Sequence, residues 1–384
     1  MENLNKFGVC AFGVKTGVIL PGDDIVEVVY QSVKDIVGNN DIVCITEAVV
    51  AMAQKNYVTT DEIAQEIRKK LKVTKNDSVG VIYPITSRNR FSLILKGIAR
   101  AVERGKVIIQ LSFPSDEVGN LTIRESFLKK IGKELNDKIS LKELNGRGFL
   151  HPFTNIDYIS FYNKIVSDVG AESEIFLSNN PKEIISHNPK GIIISSIHSR
   201  NKIKKEIEKI HKNCLTLQEI CNDRNKKTWS EWGLLGSNMA DDRLKLAPRE
   251  TDKIVKSVQV KLKNIGKKVE VIVYGDGAYK DPDSGIYELA DPSPFLALTR
   301  GLERGMRRGI KYKLFVEKLH KEKKNKLEIE KIIERKKKES CCENSISSEG
   351  TTPRKLAYIV ASLADLVSGS ADAGTPVVVV KNLL

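Results

Sequence analysis

The stretch VEVIVYGDGAYKDPDSGIYELADP, residues 269–292, decides how the chain is read. Its first part is an apolar strand, and it runs straight into a loop holding four Asp, three Gly, one Lys and two Pro. Such a loop is an ordinary turn, a calcium loop, or the floor of a site where a metal and a phosphate meet. The calcium pattern D-x-[DN]-x-[DN]-G-x5-E fails on spacing, because Asp281, Asp283 and Gly285 lack the flanking helices and the closing Glu. Asp276, between two glycines, stays open between a turn residue and a ligand.

Outward from this stretch the chain alternates strands and helices. FGVCAFGVKTGVI (7–19) is strand-rich, and PGDDIVEVVYQSVKDIVG (21–38) is a helix whose Asp23 and Asp24 suit its positive end. NDIVCITEAVVAMAQ (40–54) is a strand that becomes helical near Glu47. SVGVIYPI (78–85) is a strand emptying into TSRNR, and GKVIIQLSFPSDEVGN (105–120) repeats that theme. Between 158 and 225 a strand–helix alternation of its own predicts an inserted small α/β lobe. The remainder, 226–384, carries the opening stretch, a charged helix over 304–340, the turn-rich CCENSISSEG, and a Val-rich last strand that must be buried. The expected fold class is α/β (α+β), with parts at 1–157, 158–225 and 226–384.

A chain of 384 residues has core enough for two or three domains, and 41% hydrophobic with 29% charged residues is the composition of a soluble globular protein. No run reaches the roughly 20 apolar residues needed to cross a bilayer, and the N-terminus lacks the features of a secretory signal. Cytoplasm is therefore the expectation, with no membrane partner. Six cysteines without a C-x-x-C spacing predict neither a disulfide framework nor a thiolate zinc site, and Cys10 and Cys44 read as buried thiols. The net charge of +14 suggests nucleic acid, but much of it lies in the helix over 304–340, whose interleaved acids and bases describe a solvated face. Nucleic acid is disfavoured as a partner.

Chemistry is expected in five polar loops that leave apolar elements. They hold Thr46, Glu47 and Gln54; Thr86 to Arg90, with Arg88, Asn89 and Arg90; Ser115 to Asn120, with Asp116 and Glu117; Gly275 to Asp281, with Asp276 and Lys280; and Ser368 to Pro376, with Ser370, Asp372 and Thr375. Gly lets backbone N–H groups approach an anion, Arg and Lys bring charge, and a few carboxylates with water suit Mg²⁺ or Mn²⁺. Loops at strand ends are where α/β folds bind ligands. No Walker pattern, G-x-G-x-x-G or G-x-S-x-G elbow is present. His198 reads as a loop polar group, His151 as packed beside Pro152, and Trp229 and Trp232 as a core pair.

In order along the chain, GVKTGVILPGDDIVEVV, NDIVCITEAVVAMAQ, VEVIVYGDGAYKD and LAYIVASLADLVSGSADAGTPVVVVKNL resemble the domain of coenzyme F-420 gamma-glutamyl ligases. TEAVVAMAQKNY, YPITSRNRF, SFPSDEVGN and GTTPRK are similar to a longer bacterial branch of that family. The resemblance implies a homodimeric α/β protein that uses GTP (or ATP) and Mg²⁺ or Mn²⁺ to join an amino acid, L-glutamate, to an acidic small-molecule acceptor such as the F-420 precursor or a folate. It places Asp276 on the metal, and loop composition offers Asp116 or Glu117 as the further ligand. It places Thr46, Asn89 and Lys280 on nucleotide phosphates, loop composition adds Arg88 and Arg90 as the missing charge, and the loop with Ser368, Ser370, Asp372 and Thr375 is expected to close over the acceptor. It also implies departures. Thr46 and Ala53 match the family's first nucleotide loop, but Glu47, Ala48 and Met52 replace polar and basic members. Thr86 replaces an Asp while Asn89 is kept, and Gly277 and Lys280 replace a Thr and an Arg. The alternative is a binder of a phosphorylated ligand that has kept the fold without the catalysis.

Overall fold

The computed structural model describes residues 8–144, 150–151, 153–303, 305, 310–339, 355–368 and 374–384. The strands are β1 (Cys10–Val14), β2 (Ile42–Thr46), β3 (Tyr57–Thr59), β4 (Ser78–Ile82), β5 (Lys106–Leu111), β6 (Ile139–Ser140), β7 (Glu172–Leu177), β8 (Gly191–Ile194), β9 (Cys214–Thr216), β10 (Asn238–Ala240), β11 (Arg243–Lys245), β12 (Glu270–Tyr274), β13 (Phe295–Leu298) and β14 (Val377–Lys381). The helices are α1 (Ile25–Val33), α2 (Glu47–Ala53), α3 (Thr60–Leu71), α4 (Ser92–Ala101), α5 (Glu125–Lys130), α6 (Tyr158–Ser167), α7 (Arg200–Ile207), α8 (Thr251–Asn264), α9 (Arg300–Glu303), α10 (Tyr312–Lys321), α11 (Lys326–Glu339) and α12 (Leu356–Ser368). Together they make a mixed α/β protein with three sheets.

The first sheet has the order β1-β14-β2-β12-β13, with β2 and β12 parallel and the other neighbours antiparallel. Alternation of side chains explains why its strands are apolar throughout. Val43, Ile45, Val271, Val273, Val377 and Val379 point to the layer that holds α1 and α8. Ile42, Cys44, Ile272, Tyr274, Val378 and Val380 point to the layer of α12. Each face is covered, so each strand must be hydrophobic on both. At about 1.5–3 kcal/mol per buried aliphatic side chain, this sandwich supplies much of the drive to fold this half. Asp24 starts α1 by accepting from the backbone N–H groups of Val26 and Glu27, and Asp23 closes the preceding turn on the Leu20 N–H. Cys44 is buried as expected; Cys10 is half-buried, because β1 is an edge strand.

The second sheet has the order β6-β7-β5-β4-β8-β9, parallel except for the short β6. Here the expectation of a self-contained lobe over 158–225 is corrected. The strand β7 pairs directly onto β5 and β8 onto β4, both from the segment assigned to the N-terminal part, and β9 extends the same sheet on β8. None of the three could bury its two apolar faces alone. With β4 as first strand, the parallel order is 3-2-1-4-5, so the direction of winding reverses between β4 and β8. Val79, Val81, Val107 and Ile109 face the layer of α3, α4 and α6, while Ile82, Ile108, Ile192 and Ile194 face α7 and the 3-10 turn Pro181–His187. Gly80 in β4 is required by that turn, since a Cβ there would lie 2.8 Å from Ile184.

The third sheet, β10-β11-β3, is small and lies between the other two in sequence. The charged stretch expected as one helix is two, α10 and α11. The break is set by Asn325, whose side chain accepts from the Glu328 N–H at 3.0 Å while the Glu328 carboxylate accepts from the Asn325 N–H at 2.9 Å, a start signal in mid-run. The pair closes over its own apolar cluster of Leu319, Ile329 and Ile333. Among the described residues no helix is long and apolar enough to cross a membrane.

Candidate functional site

The opening stretch becomes β12 and a long loop, and that loop is built around carboxylates. Gly275 follows the strand, and a Cβ there would meet Asp291 Oδ2 at 2.3 Å. A Cβ on Gly277 would meet Asp365 Oδ2 at 2.9 Å and the Ser362 backbone at 3.1 Å. Those close approaches are the reason for Gly-Asp-Gly. Asp291 accepts from the Asp276 N–H at 2.9 Å, and Asp365, on α12, accepts from the Gly277 N–H at 2.7 Å. Backbone amides thus hold two carboxylates beside a third, Asp276.

Arg90 arrives from the other sheet. It closes the loop after β4, and its guanidinium donates to Asp276 Oδ1 at 2.9 Å and Oδ2 at 2.7 Å and to Asp291 Oδ1 at 2.8 Å. Two internal supports hold that loop. The Tyr162 hydroxyl donates to the Ile85 carbonyl at 2.7 Å and accepts from the Ser87 N–H at 3.1 Å. Asp116 accepts from the Thr86 N–H and hydroxyl at 2.8 and 3.0 Å, from the Val118 and Asn120 N–H groups, and from the Asn120 side-chain amide. The loop after β12 reaches back to the same end of the second sheet: the Tyr287 N–H donates to the Val118 carbonyl at 2.7 Å, and His198 Nε2 contacts the Leu289 carbonyl at 2.9 Å. The carboxyl ends of β2 and β12 therefore face those of β4, β5 and β8, which is where open α/β sheets bind ligands.

A fourth carboxylate, Glu47, opens α2 directly after β2. Its Oε1 lies 3.9 Å from Lys245 Nζ of β11, and its Oε2 is buried without a hydrogen-bond partner. Burial, offset in part by Lys245, pushes the Glu47 carboxyl up to about 7, with Asp291 adding to the rise. Burial also raises Asp276 well above the usual carboxylate range, Asp291 adding and Arg90 opposing, and raises Asp365. Among the described residues, Arg90 and Lys245 are the cations beside Glu47, Asp276, Asp291 and Asp365. Carboxylate oxygens are donors of the kind a divalent cation takes, and Glu47 Oε2 has no hydrogen-bond partner, but burial favours the protonated forms of Glu47 and Asp276 and so eases the imbalance of charge without a metal. Among the described residues no three His, Cys, Asp or Glu groups converge as a ready-made metal site; Arg90 spans Asp276 and Asp291.

The expected site residues divide. Asp276 and Arg90 come together. Asp116 and Glu117 do not join them: Asp116 is saturated by its loop, and Glu117 accepts from the Ser196 hydroxyl and from the Ile197, His198 and Ser199 N–H groups at the start of α7. Both carboxylates shape loops of the second sheet. Arg88, Asn89 and Lys280 are exposed, Lys280 with its ammonium 4.8 Å from the Tyr287 ring. Thr46 ends β2, bonded through its N–H to the Pro376 carbonyl at 3.0 Å. Thr375 donates to the Ser368 carbonyl at 3.1 Å, and Ser368 to the Asp365 carbonyl at 3.0 Å, so these two brace the end of α12. Ser370 and Asp372 lie outside the described residues. His198 is a loop polar group, as read. His151 contacts Asn120 Oδ1 at 3.1 Å within an aromatic cluster, and Pro152 lies outside the described residues. Trp229 is buried, and Trp232 packs, partly buried, on the core of the second sheet.

Asp291, Asp365 and Lys245 were not anticipated. Asp291 stood in plain view at the end of the opening stretch, but its pairing with Gly275 is a close approach that only the fold brings about. Asp365 sits in an apolar helical pattern where one acid reads as a solvent-facing residue. Glu47 carried a signal, a carboxylate directly after an apolar strand, that read as a departure from a pattern rather than as a ligand.

Fold and site together define an α/β protein that gathers acidic side chains and one arginine at the facing carboxyl ends of two sheets, a class suited to handling charged small molecules. The chain belongs to the F420-0:Gamma-glutamyl ligase family, whose model matches residues 13–382. The match spans both large sheets, so the second sheet lies inside the family's extent rather than appended to it. Among curated proteins none matches the chain.

Proposed function

We propose that the protein is a nucleotide- and metal-dependent amide ligase that adds L-glutamate to the carboxylate of an acidic acceptor, the F-420 precursor or a related metabolite. Membership of a gamma-glutamyl ligase family supports the class of reaction. The observation that carries the site is the carboxylate group Glu47, Asp276 and Asp291 around Arg90 where the two sheets meet. Asp276 is the residue that, by the family resemblance, would hold a divalent cation, which supplies positive charge against nucleotide phosphates. In an amide ligation that passes through an acyl phosphate, the acceptor carboxylate takes a phosphoryl group, the glutamate amine attacks the acyl carbon, and phosphate leaves. The task of the chain is to position and neutralise. Arg90, Arg88 and Lys280 are the cations available to phosphate oxygens, and the end of α12 with Ser368 and Thr375 borders the acceptor side. Homodimer formation is part of this reading and is checked by light scattering.

The test is phosphate release from GTP and from ATP with Mg²⁺ or Mn²⁺, in the presence and absence of glutamate and of a panel of acidic acceptors, with mass spectrometry of the product. The expected result is release that needs both co-substrates and an acceptor heavier by one glutamyl residue. Nucleotide binding with no release under any combination would favour the non-catalytic binder.

A further inference from the structure

Lysines that the fold largely buries are closely paired at three places. Lys133, with 24% of its side chain exposed, reaches Glu143 at 2.7 Å, and Lys204, at 22%, reaches Glu219 at 2.6 Å. Lys381, at 17%, donates to the Ile36 carbonyl at 2.7 Å and lies 3.1 Å from Asp41. Lys245 is more buried than any of these, at 15%, and is not paired in that way. Among the described residues its ammonium finds only the Ala48 carbonyl, at 3.5 Å, and Glu47 Oε1, at 3.9 Å. Both lie beyond the length of a good charge-assisted hydrogen bond, and an ammonium has three N–H groups to satisfy. Glu47 does not neutralise it either, because burial favours the protonated carboxyl. A largely buried cation with idle donors is destabilising unless an acceptor reaches it.

We propose that Lys245 is an oxyanion-binding residue of the ligand site, its ammonium donating to a phosphate or carboxylate oxygen of a substrate at the carboxyl end of β2. The inference rests on the ligase reading for the source of that oxygen and on geometry for the rest. Lys245 lies in β11 opposite Tyr57 of β3 and Asn238 of β10. Its neighbours Leu244 and Leu246 are fully buried, and the Leu246 N–H donates to the Asn56 carbonyl at 2.9 Å, so the backbone beneath the lysine is fixed. From there the side chain reaches the junction of β2 and α2, beside Glu47. Arg90, the other cation near these acids, is occupied by Asp276 and Asp291. Lys245 therefore has the charge to spare, and lysine binds phosphate or carboxylate as a compact point charge. A ligand oxyanion supplies the acceptor that the chain does not, and no side chain has to leave its partner. A lysine kept only to lie beside Glu47 would have the same contacts and no affinity for anions.

The experiment is isothermal titration calorimetry of the full-length protein with inorganic pyrophosphate and with L-glutamate, each against potassium chloride at equal ionic strength. In parallel the wild-type chain is acetylated with N-hydroxysuccinimidyl acetate, and peptide masses are read for Lys245 and for the exposed Lys202 as reference. One of the two anions is expected to bind and, at saturation, to lower the acetylation of Lys245 relative to Lys202 by about fivefold or more. Lys245→Met should bind that anion about 10- to 100-fold more weakly, as loss of one charged hydrogen bond implies, and Lys245→Arg, which keeps the charge, should recover part of the affinity. Pyrophosphate as the binder assigns the oxygen to a nucleotide phosphate; glutamate assigns it to the amino-acid carboxylate. Affinity unchanged in Lys245→Met, acetylation of Lys245 that neither anion lowers, or protection that chloride reproduces, overturns the proposal. If phosphate release still needs both co-substrates after such a result, the ligase reading stands without Lys245. An anion held by Lys245 in a protein that adds glutamate to no acceptor removes the ligase and leaves the oxyanion site. The acetylation arm uses the wild-type chain, so it decides the matter even if Lys245→Met fails to fold.

Discussion

At the scale of single residues, the site is shaped by what burial does to acids. Burial holds the Glu47 carboxyl up to about 7 in the folded protein, against an ordinary value of 4.5. A folded-state value above the unfolded one means that the native state binds the proton more tightly. Stability from this group is therefore present at low pH and is lost as pH rises from about 4.5 to about 7. Glu47→Gln removes the loss. In metal-free buffer the variant should be more stable than wild type at pH 8, by an amount on the order of 2 kcal/mol, and the advantage should vanish by pH 4; paired urea titrations at the two pH values check it. A variant less stable at pH 8 would mean that ionised Glu47 is well paired. Gly275 answers to a steric argument. A Cβ 2.3 Å from Asp291 Oδ2 forces that carboxylate off the Asp276 N–H and away from Arg90. Gly275→Ala should cost roughly 1–3 kcal/mol in urea titrations, whereas Gly266→Ala, where no atom lies within 4 Å of the added Cβ, should lose only the stability that its positive φ implies.

At the scale of elements, the loop after β4 shows how a strand end is made into a platform. The Tyr162 hydroxyl from α6 both donates to Ile85 and accepts from Ser87. Tyr162→Phe leaves a buried carbonyl and a part-buried N–H without that partner, at a cost of roughly 1–3 kcal/mol. Because the loop carries Arg90, the same change should also speed labelling of Arg90 by phenylglyoxal, an arginine-selective reagent. A loss of stability with unchanged labelling would make Tyr162 a core residue and nothing more. Elements of this kind were largely legible in the sequence: the strands at 42–46, 78–82, 106–111, 270–274 and 377–381 announce themselves as apolar runs, and Asp24 marks its helix. Their partners were not. Nothing in the residues of β7 and β8 says that they pair with β5 and β4 rather than with each other, since an apolar strand satisfies its backbone on any neighbour. The split between α10 and α11 was written in Asn325 and Glu328, but a four-residue capping signal is weak beside a long run of charges at helical spacing.

At the scale of the molecule, the two large sheets meet through the loops at the carboxyl ends of their strands, and the site exists only because they do. Asp276, Asp291 and Glu47 belong to the first sheet's loops, Arg90 to the second's, and Asp365 to the helix covering the first. The sequence displays each acid but not the meeting, which is why Asp276 and Arg90 were found separately and Asp291 was not singled out. The loop 275–291 is the strap. It is held to the second sheet by Arg90 on Asp276 and Asp291, by Tyr287 on Val118, and by His198 on Leu289. Asp291→Asn tests how far it depends on the charges. An Asn oxygen can keep one of the two contacts, to Arg90 or to the Asp276 N–H, but its amide then places a donor against the other donor. Losing one charged hydrogen bond at about 1.5–3 kcal/mol implies local opening that is roughly 10- to 100-fold more frequent. Hydrogen–deuterium exchange should accordingly quicken in 275–291 and in 85–90, while the amides of β4, β5 and β12 keep their protection, because their bonds lie within sheets closed on both faces. Exchange unchanged in the strap would show that Tyr287 and His198 hold it unaided. Faster exchange in β4 or β12 as well would show that the ion pairs hold the two sheets together as a unit, not merely the strap between them.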